Sequence, residues 1–295
     1  MSVQFLVSAL LSLGLLAVAT APARSDVVDT FDDTSRLVAI GGSITEIVFA
    51  LNENELLIAR DSTAVYPAAA LDLPDVGYMR ALSPEGVLSV NPSAMLMLEG
   101  SGPPETLEVL KKASVPMVIV PERFDAQGIL VKLRTVGQAL GVDDKAKRLA
   151  EEVGADLEAA QALTRDIAER RRVLFILSNQ GGRLLASGAD TAADGIIKMA
   201  GAVNAMSGFS GYRQLADEAI IAARPDLILM MNARSKSNEE ITAELLAHPA
   251  IAATPAGMTK AVLHMDGAYL LGFGPRTASA VHDLAVSLYG TAIAN

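Results

Sequence analysis

Tyr78 and Arg80 are the residues of this chain whose types and spacing could do chemistry together. They lie two apart in the stretch LPDVGYMRALSPEG, between Pro74 and Pro84 and directly after Gly77. The prolines and the glycine predict a shaped loop at this point and not the middle of a helix or strand. In an extended loop, residues i and i+2 point to the same side, so we expect the phenol and the guanidinium to lie together.

Two interpretations of this pair are open from the residues alone. In the first, which composition and spacing favour, Tyr78 packs its ring on the core and Arg80 is simply exposed. In the second, Tyr78 is a metal ligand. A phenol ionises only near a pKa of about 10 and is a poor ligand while it keeps its proton. A ferric iron with a guanidinium nearby favours the phenolate, so tyrosinate becomes a workable axial ligand of such an iron.

The elements that must position this pair alternate between short apolar strands and helices. Helical spacing of apolar residues is found over residues 43–52 and 191–203. Near-continuous apolar strands that alternate with helices indicate parallel sheets covered by helices. The predicted fold class is therefore α/β, with two Rossmann-like lobes built on central parallel sheets. The predicted strands are residues 36–41, 94–99, 115–120, 172–177, 226–231 and 261–266.

A long amphipathic helix is predicted over residues 142–172. Apolar side chains recur there at spacings of three and four, from Ala146 to Ile167, with charges between them. Such a helix would be about 40 Å long at about 1.5 Å per residue, longer than an ordinary crossover helix. We expect a rigid strut between lobes of residues 36–141 and 173–295, with a ligand cleft between the lobes and small lobe motions.

An internal repeat supports the division into two lobes. The segment SPEGVLSVNPSAMLMLEG aligns without a gap on ADEAIIAARPDLILMMNA, and Glu85 then matches Glu218. Just upstream, GYMRALSPE resembles GYRQLADE with one residue missing, so that Tyr78 has a counterpart in Tyr212. The alternative is that any helix–proline–strand unit looks alike. The shared glycine–tyrosine and the shared glutamate favour a related unit in each lobe, with both tyrosines lining one cleft.

The sequence carries no catalytic signature. It contains no GxSxG, no P-loop and no GxGxxG followed by a suitable acid. It has no cysteine, which excludes disulfides and Cys-ligated metal sites, and His248, His264 and His282 have no metal-ligand spacing. The formal net charge of -10 argues against a nucleic-acid partner. We predict that the protein is not an enzyme.

The N-terminal residues predict an export signal. The apolar run FLVSALLSLGLLAVATAPA ends in a small-x-small site before Arg24. We expect cleavage near Ala23, so that residues 1–23 are a signal peptide and residues 24–35 an extension before the first lobe. A retained anchor or a misassigned start is the alternative, because no Lys or Arg precedes the apolar run. The predicted location is the periplasm.

Five segments together resemble the periplasmic hemin-binding proteins of bacterial haem ABC importers. They are RLVAIGGSITEIVFALN, RDSTAVYP, LPDVGYMRALSPEGVLSVNP, TAADGIIKMAGAVNAM and GFGPRTASAVHDLA. The resemblance begins at about Arg36 and continues to the C-terminus. It implies a helix-linked, class III substrate-binding protein whose two lobes hold haem edge-on in the cleft. It also implies that Tyr78 is an axial ligand of the iron and that Arg80 supports it.

The same resemblance implies the function and the partners. The protein would bind ferric haem as its transported ligand, with no catalytic cofactor, and deliver it to an inner-membrane ABC permease for iron uptake. Docking in the wider group uses one surface glutamate per lobe, and these match Glu85 and Glu218. We expect a monomer, with the outer-membrane uptake machinery as an indirect partner. The alternative cargo is a ferric siderophore or a cobalamin. An exported enzyme or a metal-cluster-binding domain is the remaining hypothesis.

One departure from the family pattern concerns the second axial ligand. Some relatives supply a histidine from the second lobe, and the corresponding stretch here, LSNQGGRLLASG, has none. Five-coordinate haem through Tyr78 alone is therefore expected. The opposite wall is expected to consist of Tyr212, Asn179, Gln180 and Arg183, which would bond water or a propionate. Tyr212 as a second iron ligand and the binding of two stacked haems are the alternatives left open.

Overall fold

The computed structural model describes residues 30–233 and 236–293. The predicted signal peptide and the start of the predicted extension lie outside the described residues. Within these two ranges, no helix combines the length and the apolar character that crossing a bilayer requires. The described chain forms two α/β lobes, each with its own sheet.

The first lobe is built on a four-stranded sheet in which every pair of neighbours is parallel. Its strands, in the spatial order β2-β1-β3-β4, are β1 (Leu37–Ile40), β2 (Leu57–Arg60), β3 (Ala94–Leu98) and β4 (Met117–Val120). Its helices are α1 (Gly42–Ala50), α2 (Pro84–Leu88), α3 (Pro104–Lys112) and α4 (Ala126–Ala139). Short 3-10 segments cover Asn54–Leu56 and Ala68–Asp72. The carboxyl ends of these strands share one edge, from which the loop that holds Tyr78 also rises.

The second lobe is built on a six-stranded sheet of mixed direction, with the path β10-β9-β5-β6-β8 and β7 beside β5. Its strands are β5 (Arg172–Gln180), β6 (Arg183–Ser187), β7 (Val203–Asn204), β8 (Tyr212–Gln214), β9 (Leu227–Met231) and β10 (Val262–Met265). Its helices are α6 (Ala192–Met199), α7 (Asp217–Ala223), α8 (Asn238–Leu246), α9 (Pro249–Ala252), α10 (Pro255–Thr259), α11 (Gly267–Leu271) and α12 (Thr277–Tyr289). A 3-10 segment, Gly290–Ile293, follows α12.

The predicted fold class is confirmed, with one correction in the second sheet. The pairs β5–β9, β9–β10 and β5–β7 are parallel, whereas β5–β6 and β6–β8 are antiparallel. The reason is a two-residue hairpin turn at Gly181 and Gly182, whose φ angles of 59° and 80° are both positive. Two consecutive residues with positive φ form the turn type whose twist suits a β-hairpin. The second sheet is therefore a parallel core with an antiparallel extension at one edge.

The connecting helix α5 (Asp143–Ala162) is shorter than the sequence predicted. It has 20 residues, which is about 30 Å, and ends ten residues before the predicted boundary at Arg172. The chain turns at Thr164, which is buried against Gly201, while Arg170 Nη1 donates to the Gly201 carbonyl at 3.0 Å. The apolar spacing continues through these turns because they too cover the core. The helix packs against α4 and α12, and the larger apolar core runs through both lobes around it, while a smaller core lies within the second lobe.

The internal repeat corresponds to equivalent units in the two lobes. The strands β3 and β9 begin at aligned residues, and the left-handed residues Asn91 and Arg224, with φ of 49° and 45°, precede the two aligned prolines. In each unit an arginine side chain donates a hydrogen bond to a backbone carbonyl between the helix and the strand. Arg36 Nε donates to Asn91 O at 2.7 Å, and Arg172 Nε donates to Ala223 O at 2.8 Å. Both arginines thus satisfy carbonyls at a helix C-terminus, where a cation is also favoured by the helix dipole.

Alkaline stability should depend on Tyr269. Its hydroxyl donates to Asp283 Oδ2 at 2.9 Å, and burial, together with the Asp283 carboxylate, raises the pKa of Tyr269 to about 12. An unfolded tyrosine ionises near a pKa of about 10, so the unfolded chain loses this proton first. The free energy of unfolding should therefore fall as the pH rises from about 10 towards about 12. We expect Tyr269→Phe to reduce this fall in urea unfolding measured across that range, and an unchanged slope would contradict the assignment.

Candidate ligand site

The loop that carries Tyr78 is fastened to the end of β2. Val76 N donates to Arg60 O and Ser62 N donates to Gly77 O, both at 2.9 Å. The Asp75 side chain accepts from Gly77 N at 2.8 Å, and Gly77 has φ of 105°. No atom stands within 4 Å of where a Cβ on Gly77 would lie, so the backbone angle, and not lack of space, calls for glycine there. The loop is therefore fixed in its path before it reaches Tyr78.

Tyr78 and Arg80 lie together on the outer side of this loop. Met79 between them is buried, and its carbonyl accepts from Gly102 N at 2.9 Å. The Tyr78 side chain is 43 % exposed, and Arg80 Nη1 donates to the Tyr78 hydroxyl oxygen at 2.8 Å. The interpretation of Tyr78 as a ring packed on the core does not fit this exposure. The pair presents an oxygen whose negative charge a fixed cation would stabilise.

Tyr212, the predicted counterpart of Tyr78, lies in the second lobe. It begins β8 and is 41 % exposed. Burial raises the pKa of Tyr212, while a hydrogen bond with the Thr191 side chain and the positive charge of Arg80 act in the opposite direction. The Arg80 guanidinium is thus within electrostatic range of a phenol from the other lobe. The structure brings Tyr78 and Arg80 together, and the raised pKa keeps the Tyr212 phenol neutral near neutral pH.

Asn179, Gln180 and Arg183 lie at the tip of the β5–β6 hairpin. The Asn179 side chain accepts from Gly182 N at 3.1 Å and so shapes the turn. Gln180 and Arg183 are exposed and are paired across the two strands. Among residues 30–233 and 236–293, no hydrogen bond or ion pair joins these side chains to the tyrosines or to Arg80. Their contact with a ligand stays a prediction.

One histidine reaches this hairpin, which the sequence did not indicate. His248 precedes α9, and its Nε2 lies 3.0 Å from Gly182 O and 3.8 Å from Asp217 Oδ1. The ring therefore joins the hairpin tip to the start of α7, although some sixty residues separate His248 from Gly182 in the chain. Its Nδ1 is buried without a partner in the described part of the molecule. Only the fold, and no sequence motif, could have revealed this contact.

The other two histidines lie elsewhere. His264 Nε2 is 2.8 Å from the Thr242 hydroxyl, and the exposed His282 lies on α12 beside Asp283. Within the described ranges, no group of three or more His, Cys, Asp or Glu side chains could hold a metal ion.

Two glutamates that the sequence analysis did not single out follow neighbouring strands of the first lobe. Glu99 follows β3 and Glu122 follows β4, and Glu99 Oε2 accepts from Glu122 N at 2.9 Å. Burial raises the pKa of Glu122, and the positive charges of Lys132 and Arg80 oppose that rise. The signal that could have found them is their position, because the carboxyl ends of parallel strands are where ligand sites lie in open α/β sheets.

The two predicted docking glutamates occupy equivalent places on the surface. Glu85 is the second residue of α2, whose cap Ser83 accepts from Gly86 N at 2.9 Å. Glu218 is the second residue of α7. Both side chains are exposed. The helix dipole alone favours a carboxylate at this position, so the position by itself does not indicate docking. What marks this pair is that both side chains are exposed and that they occupy equivalent positions of the internal repeat.

With this fold and this site, the chain belongs to the periplasmic binding protein family, whose model matches residues 37–269. Two solved structures are similar to it over most of its length. The periplasmic heme-binding protein RhuT from Roseiflexus sp. RS-1, in its apo form, is 38 % identical with a TM-score of 0.82, covering 88 % of this chain and 100 % of that one. The periplasmic heme-binding protein BhuT in complex with two hemes is 40 % identical with a TM-score of 0.80, covering 86 % and 97 %.

Two curated relatives are more distant. An uncharacterized ABC transporter substrate-binding lipoprotein of Bacillus subtilis, YvrC, is 24 % identical over 263 residues, 87 % of this chain and 81 % of that protein. A vitamin B12-binding protein of Vibrio campbellii is 22 % identical over 210 residues, 71 % and 74 % of the two. The predicted resemblance to periplasmic haem-binding proteins is thus confirmed, and the relatives agree on a substrate-binding role.

Proposed function

We propose that this protein binds ferric haem in the periplasm and delivers it to an inner-membrane ABC permease. The observation that carries the proposal is the Tyr78–Arg80 pair, an exposed tyrosine whose hydroxyl oxygen accepts a hydrogen bond from a guanidinium. Such an oxygen suits a hard ferric ion that arrives with its other ligands already in place. The two similar solved structures, RhuT and BhuT, support the same cargo, because both are heme-binding proteins.

In this proposal Tyr78 is the axial ligand of the haem iron and Arg80 stabilises its phenolate. Tyr212 donates a hydrogen bond from the opposite wall. Asn179, Gln180 and Arg183 at the hairpin tip complete that wall and bond water or a propionate. The iron is five-coordinate with one haem, and BhuT, solved with two hemes, supports the alternative of two.

The protein acts as a carrier and not as an enzyme, and haem is its cargo and not a resident cofactor. We propose export with cleavage near Ala23, a monomeric mature protein, and lobes of residues 36–141 and 173–295 on either side of residues 142–172. Glu85 and Glu218 dock on the permease, and the outer-membrane uptake machinery is an indirect partner. The kinship with a substrate-binding lipoprotein of an ABC transporter supports this context.

The proposed cargo can be tested by titrating the purified mature protein with ferric haem while its absorption spectrum is recorded. We expect saturable binding and the high-spin spectrum of a tyrosinate-bound ferric haem. Cobalamin and a ferric siderophore are titrated in parallel, since a vitamin B12-binding relative favours the first of them as the alternative. Binding of either one without binding of haem would contradict the proposal and leave the fold assignment intact.

A further inference from the structure

A fully buried lysine joins the two lobes beneath the candidate site. The Lys132 side chain, on α4 of the first lobe, is 0 % exposed. Its Nζ lies 2.8 Å from Glu122 Oε1, 3.2 Å from Ser43 Oγ and 3.0 Å from Phe273 O. The ammonium has three donors, so each has a partner. Two of the partners belong to the first lobe and the third is a backbone carbonyl of the second.

The first lobe holds both ends of the loop that contains this carbonyl, residues 273–276, which we call the pinned loop. Phe273 has φ of 49° and packs its buried ring edge-on against Phe124, with the centroids 5.2 Å apart. At the other end, Glu46 Oε1 accepts from Arg276 N at 3.1 Å, and Glu46 Oε2 accepts from Arg276 Nη2 at 2.9 Å. The Arg276 guanidinium also lies 3.5 Å from the ring centroid of Tyr66.

Through Glu122, the same lysine also reaches the carboxyl ends of β3 and β4. That carboxylate follows β4, and its amide is held by Glu99. Arg80, which donates to Tyr78, is close enough for its charge to act on Glu122. Hydrogen bonds therefore connect Glu99 through Glu122 and Lys132 to the Phe273 carbonyl of the second lobe.

Stability alone is a poor reason for this arrangement. Burial lowers the pKa of Lys132 and raises that of Glu122, so each charge is disfavoured where it stands. A buried ion pair of this kind is often replaced by apolar residues with no loss of stability. What apolar residues could not supply is a directional bond from α4 to one backbone carbonyl of the opposite lobe. The geometry therefore indicates that Lys132 serves to position the two lobes relative to each other.

We propose that Lys132 is a positioning residue that fixes the distance between the two walls of the cleft and so sets how long the cargo is retained. The part that concerns retention rests on the proposed function, and the part that concerns distance does not. Without the bond to Phe273 O, the Phe273 end of the pinned loop would be held only by packing of its ring on Phe124, which is not directional, and the lobes would sample a wider range of separations. The cargo would then leave faster while its ligand stayed the same.

The test uses the double variant Lys132→Met/Glu122→Gln, which removes both charges at once. It is compared with the background protein. Because the chain has no cysteine, Val109→Cys on α3 and Ile221→Cys on α7 give one spin label per lobe with no other reactive thiol. The matched control is Lys145→Met with Glu53→Gln, an ion pair at the surface that does not reach the second lobe. Pulsed electron paramagnetic resonance gives the inter-lobe distances in the ligand-free protein, and stopped flow gives the ferric haem dissociation rate.

In the Lys132→Met/Glu122→Gln variant we expect a distance distribution at least about twice as wide and haem dissociation about tenfold faster, with an unchanged tyrosinate spectrum. The control should match the background in all three. An unchanged distribution in a variant that unfolds cooperatively overturns the proposal, and a wider distribution with unchanged dissociation overturns its retention half. If the double variant does not fold, Arg276→Gln opens the other end of the pinned loop and must widen the distribution. Failure of haem to bind would contradict only the proposed function, because the distances are measured without ligand.

Discussion

Tyr78→Phe is expected to weaken ferric haem binding by about 100-fold or more, which is about 2.7 kcal/mol, and to remove the tyrosinate absorption band. Phenylalanine keeps the ring and deletes only the oxygen that Arg80 now holds at 2.8 Å. The iron would then lose its protein ligand. Because the side chain is 43 % exposed, the free energy of unfolding should change by no more than about 0.5 kcal/mol. Absorption titration and thermal unfolding of the same preparation separate the two effects.

Tyr212→Phe is the matched control. It removes a phenol of nearly the same exposure from the opposite wall, 41 % against 43 %. If Tyr212 only donates a hydrogen bond to the cargo, its loss should weaken binding by less than about tenfold and keep the tyrosinate band. If Tyr212→Phe removes the band and Tyr78→Phe keeps it, the two tyrosines have the opposite roles. Unchanged affinity and spectrum in Tyr78→Phe would contradict the site assignment while leaving the fold untouched.

The central parallel strands were predictable because they are buried on both faces. β3 is the clearest case, since all five of its residues are buried. β2 was missed because it is short and ends in Arg60, which is normally an exposed residue type. In the folded chain Arg60 is buried, and its guanidinium donates to Ala70 O at 2.9 Å and to Asp75 at 3.2 Å. A sequence does not show which charged residue will find such partners.

The contact between Tyr78 and Arg80 followed from local geometry, whereas the place of Tyr212 in the same cleft, inferred from the repeat, stays a prediction. Lys132 could not be predicted in either way. Within α4 it looks like one of the polar residues of an amphipathic helix, which normally face water. It is buried because Ser43 and Phe273, far away in the chain on either side, meet at its ammonium group. Tertiary contacts of this range leave no local pattern.

The glycine pair at 181 and 182 is a sequence signal for a β-hairpin that the strand prediction did not include. Two glycines between strand-like runs are a signal for a two-residue turn, and both have positive φ here. The polar residues Ser178, Asn179 and Gln180 concealed it, because they interrupt the apolar run of β5 before the strand ends. They can be polar because this end of β5 is not fully buried. The hairpin matters for function because it carries three of the residues proposed for the second wall.

Combined Glu85→Ala and Glu218→Ala should abolish haem transport while leaving haem affinity within about twofold of the unaltered protein. The two carboxylates are exposed, lie at equivalent positions on α2 and α7, and make no ion pair within the described ranges. An acidic point on each lobe suits a permease that offers one basic pocket to each. The measurement is haem uptake by the cognate permease in proteoliposomes, with the affinity of the same preparations determined by absorption titration.

The fold supplies a matched control for this experiment in Glu105→Ala with Glu239→Ala. Those residues are also exposed and are also the second residues of their helices, α3 and α8, one in each lobe. The control therefore makes the same change in net charge and in helix-dipole interactions. If it abolishes uptake equally, general electrostatic steering and not docking at two points explains the loss. If the Glu85 and Glu218 variant loses affinity as well, α2 and α7 shape the cleft and are not docking points.

The single variants test whether the two glutamates act as one bivalent site. After one lobe has docked, the second contact is intramolecular, so its effective concentration is high as long as the lobes keep the right spacing. Each single variant should then lose only part of the uptake. The decrease in the double variant should exceed the sum of the decreases in the two single variants. The spacing is the quantity that Lys132 is proposed to fix. Adding Lys132→Met with Glu122→Gln to protein that keeps both glutamates should therefore lower uptake through docking even when haem is saturating.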